Sequence, residues 1–338
     1  MSTTTPSSPS KPSINFSRYG ILFAFLGLCV LISAICQIRV MQGVWPVNVF
    51  LTVNNLMLIM HQISVNGILA VGMTFVVISA GIDLSVGSVL AFAGIVAASF
   101  ATRSTGITAW SGIYFVAIPL LASMATGALC GLLNGLIVSR FRIQAFIATL
   151  GMLLAARGMT MAVTGGNPIS ALSPSFRWFG TGRLFDVIPV PVVILLLVFA
   201  VAWVILNKTI FGRYVYAVGG NEKSARTSGI NTTAILTWVY VVSGFLAGLA
   251  GIILTAKTGS AQTAAGTSYE LDAIAAVVIG GASLMGGVGR LTGTFFGAMI
   301  IGVMNNGLDI LGVESYYQLI IKGALIVLAV TIDSRRQG

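Results

Sequence analysis

The residues of this sequence that could do chemistry are a few charged and amide side chains inside long apolar runs. Arg157, Asp309 and Lys322 lie in such runs, where a charge at the centre of a bilayer costs about 2.5–3.5 kcal/mol on insertion scales. We expect them to face the interior of a helix bundle or one another. Asp309 and Lys322 are predicted to form an ion pair between neighbouring helices, which would be either a structural clamp or a charge relay.

Amide and hydroxyl groups are the second set of candidates. Asn305 and Asn306 lie about one helical turn from the aspartate of that pair. Because an amide offers both donors and acceptors, these residues suit sugar hydroxyls, and they equally suit hydrogen bonds between helices. Asp83 and Ser85 follow an apolar run, so they are predicted either to cap the next helix or to place an acidic contact for a partner at the cytoplasmic surface.

Enzyme signatures are missing from the sequence. It contains no GxxxxGK[ST] phosphate-binding loop, no HExxH motif and no GxSxG motif. Its three cysteines have no CxxC spacing, and its single histidine has no cysteine or second histidine nearby. We therefore expect no catalytic residue, no metal site and no cofactor bound by this chain.

A polar interruption of the apolar sequence runs from 207 to 231 and reads NKTIFGRYVYAVGGNEKSARTSGIN. Its two adjacent glycines are predicted to form a tight turn before a short helix. Asn221 is a good N-cap residue for this helix, Glu222 can pair with Arg226 one turn later, and Gly229 can end it. Such a helix between two spans could bind a partner outside the membrane; the alternative is a basic loop that only fixes membrane orientation.

Composition places the chain in a membrane. Its 338 residues are 57% hydrophobic and only 8% charged, whereas soluble domains carry about 25% charged residues. Glycine repeats, from Gly127 to Gly135 and again from Gly244 to Gly251, predict close contacts between helices, within or between subunits. The net charge of +10 comes from basic residues scattered between apolar runs, which indicates membrane orientation and contact with anionic lipid rather than nucleic-acid binding.

Apolar length predicts an all-α membrane bundle of about ten transmembrane helices. Residues 1–18 are predicted to be a disordered tail, 19–333 a single transmembrane domain, and 334–338 a second short tail. The distribution of Lys and Arg places both tails and the 207–231 loop in the cytoplasm. The predicted spans are Tyr19–Ile38, Leu56–Ala80, Val86–Thr102, Ser111–Val138, Ala145–Val163, Val190–Leu206, Thr233–Ala256, Leu271–Leu284, Leu291–Leu311 and Tyr316–Thr331.

Two segments between these spans are predicted to lie on the external side. Thr164–Pro189 contains several prolines and glycines together with Trp178 and Phe179, a pattern typical of an ordered cap with aromatic residues at the membrane interface. Thr258–Glu270 is small and polar, so it could line the mouth of a pathway.

Four long motifs follow one another along the chain: NGILAVGMTFVVISAGIDLSVGSVLAFAG, RIQAFIATLGM, FGRYVYAVGGNEKSARTSGIN and YELDAIAAVVIGGASLMGGVGRLTGT. They strongly resemble the permease subunits of ribose-type sugar ABC importers, and the resemblance extends from about Asn54 to Asp333. It implies a bacterial inner-membrane subunit of the vitamin B12-type importer fold that dimerises around a central sugar pathway.

The same resemblance implies three partners. They are a periplasmic sugar-binding protein, a second permease copy, and a separate cytoplasmic ATP-binding subunit whose two nucleotide sites hold ATP and Mg²⁺. In this family the loop matching Gly212–Asn231 holds the coupling helix that docks on the ATPase. The resemblance therefore implies that the residues coupling this chain to the ATPase are Gly219, Gly220, Asn221, Glu222, Ala225, Arg226 and Gly229.

The predicted function is therefore ATP-driven import of a monosaccharide, which could be a ribose-like pentose, a hexose or a polyol. Gln144 and Phe146, beside a basic inner turn, are candidates for the sugar pathway together with the two adjacent asparagines named above. The alternative is an ion-coupled secondary sugar carrier that uses Asp309 and Lys322 as a charge relay.

Overall fold

The computed structural model describes residues 16–102 and 114–337, and nearly every element in them is an α-helix. The helices are α1 (Phe16–Met41), α2 (Val53–Ile78), α3 (Val86–Ala101), α4 (Tyr114–Ser139), α5 (Ala145–Thr164), α6 (Pro174–Thr181), α7 (Val190–Lys208), α8 (Ile210–Gly220), α9 (Glu222–Thr227), α10 (Thr232–Thr258), α11 (Tyr269–Ile279), α12 (Leu291–Ile310) and α13 (Ser315–Gln337). A 3₁₀ turn at Val49–Leu51 and a hairpin of β1 (Arg183–Leu184) and β2 (Ile188–Pro189) are the short elements. The predicted all-α class is confirmed.

Each of the ten predicted spans contains a helix, but the helices differ in length, and the one in Leu271–Leu284 already ends at Ile279. Within the described residues, seven helices are long and apolar enough to cross a bilayer: α1, α2, α4, α5, α7, α10 and α12. Helix α3 has 16 residues and α11 has 11, which at about 1.5 Å per residue is shorter than the roughly 30 Å hydrocarbon core. The apolar part of α13, Ser315–Leu328, is also short.

The two predicted tails differ from the structure at their inner ends. Helix α1 already begins at Phe16, two residues before the predicted end of the first tail at 18, and residues 1–15 lie outside the described part of the chain. Helix α13 continues to Gln337, so most of the residues predicted to form the second tail belong to a helix.

The short helices α3 and α11 both begin inside the bundle. Asn66 lies halfway along the 26 residues of α2, and its amide Nδ2 donates to Asp272 in the first turn of α11 at 3.4 Å. Gly87 at the start of α3 packs so closely against Gly266 and Glu270 that a Cβ would clash with both. Part of the non-helical segment 259–268 therefore packs into the bundle at Gly266, while Gln262, Ala264 and Thr267 stay exposed.

Glycines set the distance between α4 and α10. A Cβ on Gly127 would clash with the carbonyl oxygen of Gly244, and one on Gly131 would clash with that of Tyr240. In return, a Cβ on Gly248 would meet the carbonyl of Ser123 on α4. Backbone lies directly against backbone along this contact, so the predicted glycine contacts are confirmed within one subunit.

The segment between α5 and α7 is ordered, as predicted for a cap. Ser173 is the N-cap residue of α6, and its side chain accepts a hydrogen bond from the Phe176 backbone N–H at 3.4 Å. Phe176 is fully buried, and Gly180 packs against the backbone at Lys257, which holds α6 on the end of α10. Trp178 stays 46% exposed, as expected for an aromatic residue at a membrane interface.

Candidate functional site

The candidate coupling segment consists of α8 and α9, which are joined at Asn221. The extended backbone of Asn221 ends α8, and its side-chain oxygen accepts from the Ser224 N–H at 2.9 Å, capping α9. Glu222 and Arg226 form an ion pair at 2.7 Å, and Thr232 at the start of α10 contacts both side chains at 3.1 Å. The predicted N-cap and ion pair are confirmed.

The predicted glycine turn is wrong. Gly219 and Gly220 form the last turn of α8, and Gly219 packs against the end of α2. A Cβ on Gly219 would clash with the carbonyl oxygen of Ile78, whereas one on Gly220 would meet nothing within 4 Å. The positive φ that ends a helix occurs at Gly229 instead, at +86° and just after α9.

The end of α8 belongs to a contact that we call the inner junction, formed by Ile78, Gly219, Gly286 and Gly287. The Gly287 N–H donates to the Ile78 carbonyl at 2.8 Å, and the two consecutive glycines of the 280–290 loop adopt left-handed backbone conformations, with φ of +86° and +73°. Three separate parts of the chain thus meet through backbone atoms: the end of α2, the end of α8 and the loop between α11 and α12.

Tyr216 adds a side-chain link to the same region. Its hydroxyl donates to the Gly289 carbonyl at 2.8 Å. Burial raises the pKa of Tyr216 above its ordinary value, with Arg290 opposing the shift, so the hydroxyl remains a donor at neutral pH. Helix α8 is therefore fixed to the 280–290 loop at two points about one turn apart.

The outer face of α9 is polar and exposed. Ala225 is 5% exposed and anchors the helix, while Glu222, Lys223 and Arg226 point away from the bundle. A short helix with three exposed charged side chains and an apolar anchor can bind a protein surface.

The predicted ion pair between Asp309 and Lys322 is wrong. The ammonium group of Lys322 lies 3.1 Å from both carboxylate oxygens of Asp272, and Asp309 is exposed and accepts from the Gln318 amide at 2.8 Å. The two residues lie at different levels along the bundle. Asp309 is in the last turn of α12, whereas Lys322 lies two turns into α13 and reaches the first turn of α11.

The amides predicted as sugar contacts hydrogen-bond to other helices. Asn305 donates to Asp272 at 3.2 Å, and Asn306 exchanges hydrogen bonds with Asn55 at 2.8 and 3.1 Å. Both predicted residues are buried, at 3% and 6% exposed, so the structure agrees with the alternative of interhelical bonding. Asp272, Asn66 and Asn55 were not singled out from the sequence, although Asp272 is an acid within a predicted span.

Asp83 is buried, so of its two predicted roles the surface contact is wrong, and its contacts at the start of α3 agree with the role of a cap. It is 1% exposed and accepts from the Ser85 N–H at 3.0 Å, the Ser85 hydroxyl at 2.6 Å and the Ser243 hydroxyl at 2.9 Å. Ser85 in turn accepts from the Asn134 amide at 2.9 Å. Ser85 occupies the N-cap position of α3 but makes no capping hydrogen bond itself, so Asp83 stabilises the start of this helix from outside it.

Arg157 faces the interior, as predicted, and holds the segment 259–268, part of which packs into the bundle. Its guanidinium Nη1 donates to the carbonyls of Thr263 at 2.6 Å and Ala265 at 2.9 Å. A cavity of about 240 Å³ lies between this segment and α10. Its hydroxyl and amide side chains are those of Thr255, Thr258, Ser260, Gln262, Thr267 and Tyr269.

Gln144 and Phe146 lie at the start of α5 with their side chains exposed. Gln144 occupies the N-cap position without a capping hydrogen bond. Within residues 16–102 and 114–337, no group of three or more His, Cys, Asp or Glu side chains could hold a metal ion.

Comparison with known proteins identifies the family. A family model described as "Branched-chain amino acid transport system / permease component" matches residues 55–330. The ribose import permease protein RbsC of Escherichia coli K12 is 51% identical over 292 residues, which cover 85% of this chain and 88% of the relative. The chain belongs to the ribose-type permease family of ABC importers. No solved structure matches this permease.

Two further relatives of the permease are named for ribose and for D-allose. The ribose import permease protein RbsC of Bacillus subtilis 168 is 44% identical over 316 residues, 93% of this chain and 92% of the relative. The D-allose transport system permease protein AlsC of Escherichia coli K12 is 39% identical over 288 residues, 84% of each chain. With seven membrane-competent helices, the permease is a multi-pass membrane protein that serves as a transport subunit.

Proposed function

We propose that this chain carries a monosaccharide across the bacterial inner membrane, from a periplasmic binding protein to the cytoplasm, driven by ATP hydrolysis in a separate subunit with two nucleotide sites. Support comes from the family and from the relatives, whose names specify ribose import and D-allose transport. Two permease copies would enclose the pathway, each with about ten membrane-embedded helices in the vitamin B12-type arrangement and with both termini cytoplasmic.

The observation that carries this proposal is the inner junction. Helix α9 has an exposed polar face for a partner, and α8 leads from it directly to Gly219, which lies against the end of α2 and the 280–290 loop. Because these contacts are between backbone atoms, they have no flexible side chain to absorb a movement. A displacement imposed on α9 would therefore be passed to α2, α11 and α12.

Two regions are the candidates for contact with the passing sugar. The cavity beside the segment held by Arg157 offers hydroxyl and amide groups, which suit a polyhydroxyl ligand. Gln144 and Phe146 are exposed on α5 and would line the space between two permease copies. Weak contacts suffice for transport, since the binding protein supplies the affinity.

Paired glycine variants test this function. In liposomes that contain the permease, the ATP-binding subunit and the sugar-loaded binding protein, Gly219→Ala is expected to reduce sugar uptake at least tenfold per ATP hydrolysed. Gly220→Ala is the matched control and is expected to transport normally, because its Cβ has open space. Equal transport by both variants, or uptake by the permease without the ATP-binding subunit, would overturn the proposal.

The ion-coupled carrier has less support. Its proposed relay requires Asp309 to exchange a proton or ion with Lys322, but these residues have separate partners. Uptake that is abolished by a protonophore while ATP is present would favour the carrier over the importer.

A further inference from the structure

A second cavity, of about 390 Å³, lies at the end of the bundle that carries α9. It is bounded by the last turns of α7, the first half of α8 and the first turn of α12. The residues that matter for its chemistry are Trp203, Leu206, Arg213, Tyr216 and Arg290. The proposed function uses none of the cavity's charged groups.

Two cations line this cavity without an acidic partner. Arg213 and Arg290 are both exposed, and the ion pairs formed by the described residues, Glu222–Arg226 and Asp272–Lys322, involve neither of them. No Asp or Glu lines the cavity. Two guanidinium groups facing one space favour an anion, and guanidinium matches the geometry of phosphate oxygens particularly well.

The backbone adds to the same preference. Leu291 and Thr292 form the first turn of α12, directly after Arg290, and both line the cavity. The first N–H groups of a helix lack partners within the helix and carry a partial positive charge. A phosphate between the two arginines would thus meet a third source of positive potential.

The surroundings indicate that the phosphate belongs to a lipid. Trp203 and Leu206 lie on the final turns of α7, a helix of bilayer-spanning length, and the ammonium group of Lys208 lies 5.7 Å from the centre of the Trp203 ring. Tryptophan and lysine at the end of a span mark the boundary between hydrocarbon and headgroups. The cavity therefore opens at headgroup depth.

We propose that this cavity binds the phosphate of an anionic phospholipid, with Arg213 and Arg290 as its ligands and Trp203 against the upper acyl chain. Tyr216, whose hydroxyl donates to the Gly289 carbonyl, forms a wall of the cavity. A bound lipid would then contact the loop that completes the inner junction.

Lipid retention tests the proposal. Purified permease in nanodiscs of mixed phosphatidylglycerol and phosphatidylcholine would be released into detergent, and the retained lipids counted by native mass spectrometry. We expect one phosphatidylglycerol to remain bound, and Arg213→Gln/Arg290→Gln to weaken its retention about 25-fold, at about fivefold for each arginine. Arg140→Gln, an exposed arginine outside the cavity, is the matched control and should keep the lipid.

Further arms separate the possible ligands. Arg213→Lys/Arg290→Lys should retain part of the binding, and thermal unfolding of each variant shows that the fold is intact. Unchanged phosphatidylglycerol retention in the double glutamine variant would overturn the proposal. So would displacement of the lipid by equimolar inorganic phosphate, which would identify a site for free phosphate. A loss of docking to the ATP-binding subunit with lipid retention intact would make the cavity a protein contact and overturn it as well.

Discussion

Replacing either member of the buried pair Asp272–Lys322 should destabilise the permease far more than replacing Asp309. The side chain of Asp272 is 5% exposed and that of Lys322 is 19% exposed. Removing one member of a buried ion pair leaves the other charge without compensation, which typically costs about 3–5 kcal/mol. We expect Lys322→Met to reach this range, because it leaves the carboxylate with only the amides of Asn66 and Asn305 as donors.

A double-mutant cycle gives the size of the interaction itself. Two unit charges 3.1 Å apart attract by about 5 kcal/mol at an effective dielectric constant near 20. Desolvation of both groups offsets part of this energy, so we expect a coupling of about 2–3 kcal/mol between Asp272→Asn and Lys322→Met. The double variant should thus be more stable than the sum of the single effects predicts.

The measurement is equilibrium unfolding of the purified permease in one detergent, with the four proteins of the cycle compared under identical conditions. A second cycle, between Asp309→Asn and Lys322→Met, is the control, and its coupling should stay below about 0.5 kcal/mol because the two residues share no partner. Additive effects in the first cycle, or strong coupling in the second, would refute the assignment of the pair.

Three further variants test the packing described above. Gly127→Ala should destabilise the fold by about 1–3 kcal/mol in the same assay, whereas Gly158→Ala, whose Cβ has open space, should change stability by less than about 1 kcal/mol; similar values for both would contradict the glycine contact. Arg157→Gln should speed amide hydrogen exchange about tenfold or more in the segment that it holds, since charged hydrogen bonds contribute about 1.5–3 kcal/mol, and unchanged exchange there would show that the clamp is not needed. Asn306→Leu should cost about 1–3 kcal/mol by leaving the Asn55 amide oxygen unpaired, and Asn55→Leu in addition should recover part of the loss; a larger loss in the double variant would contradict the pairing.

Local features of the coupling segment could be predicted from the sequence. An asparagine that caps α9 and an ion pair one turn apart both depend on residues within four positions of each other. The helical segments were predictable for a similar reason, since apolar length is a property of the segment alone. The glycine turn failed because the fit of Gly219 against Ile78 involves residues far apart in the sequence.

The level at which α3 and α11 begin within the bundle could not be predicted from the sequence. Apolar composition is similar for a helix that crosses the bilayer and for a shorter helix packed inside the bundle, so the sequence predicts ordinary spans at α3 and α11. Their true starting level is set by long-range contacts, such as the approach of Gly87 to Gly266. The sequence pairs Lys322 with Asp309 for the same reason, since the contact of Lys322 with Asp272 joins residues 50 positions apart.

The pair formed by α11 and α13 has a consequence for biogenesis. Helix α13 is synthesised after α11, its apolar part is short, and Lys322 makes its insertion less favourable by about 2.5–3.5 kcal/mol if the ammonium group meets hydrocarbon alone. A carboxylate already in place offsets part of this penalty. We therefore expect stable insertion of α13 to depend on Asp272, and failed insertion of α11 should leave Lys322 without its ion-pair partner.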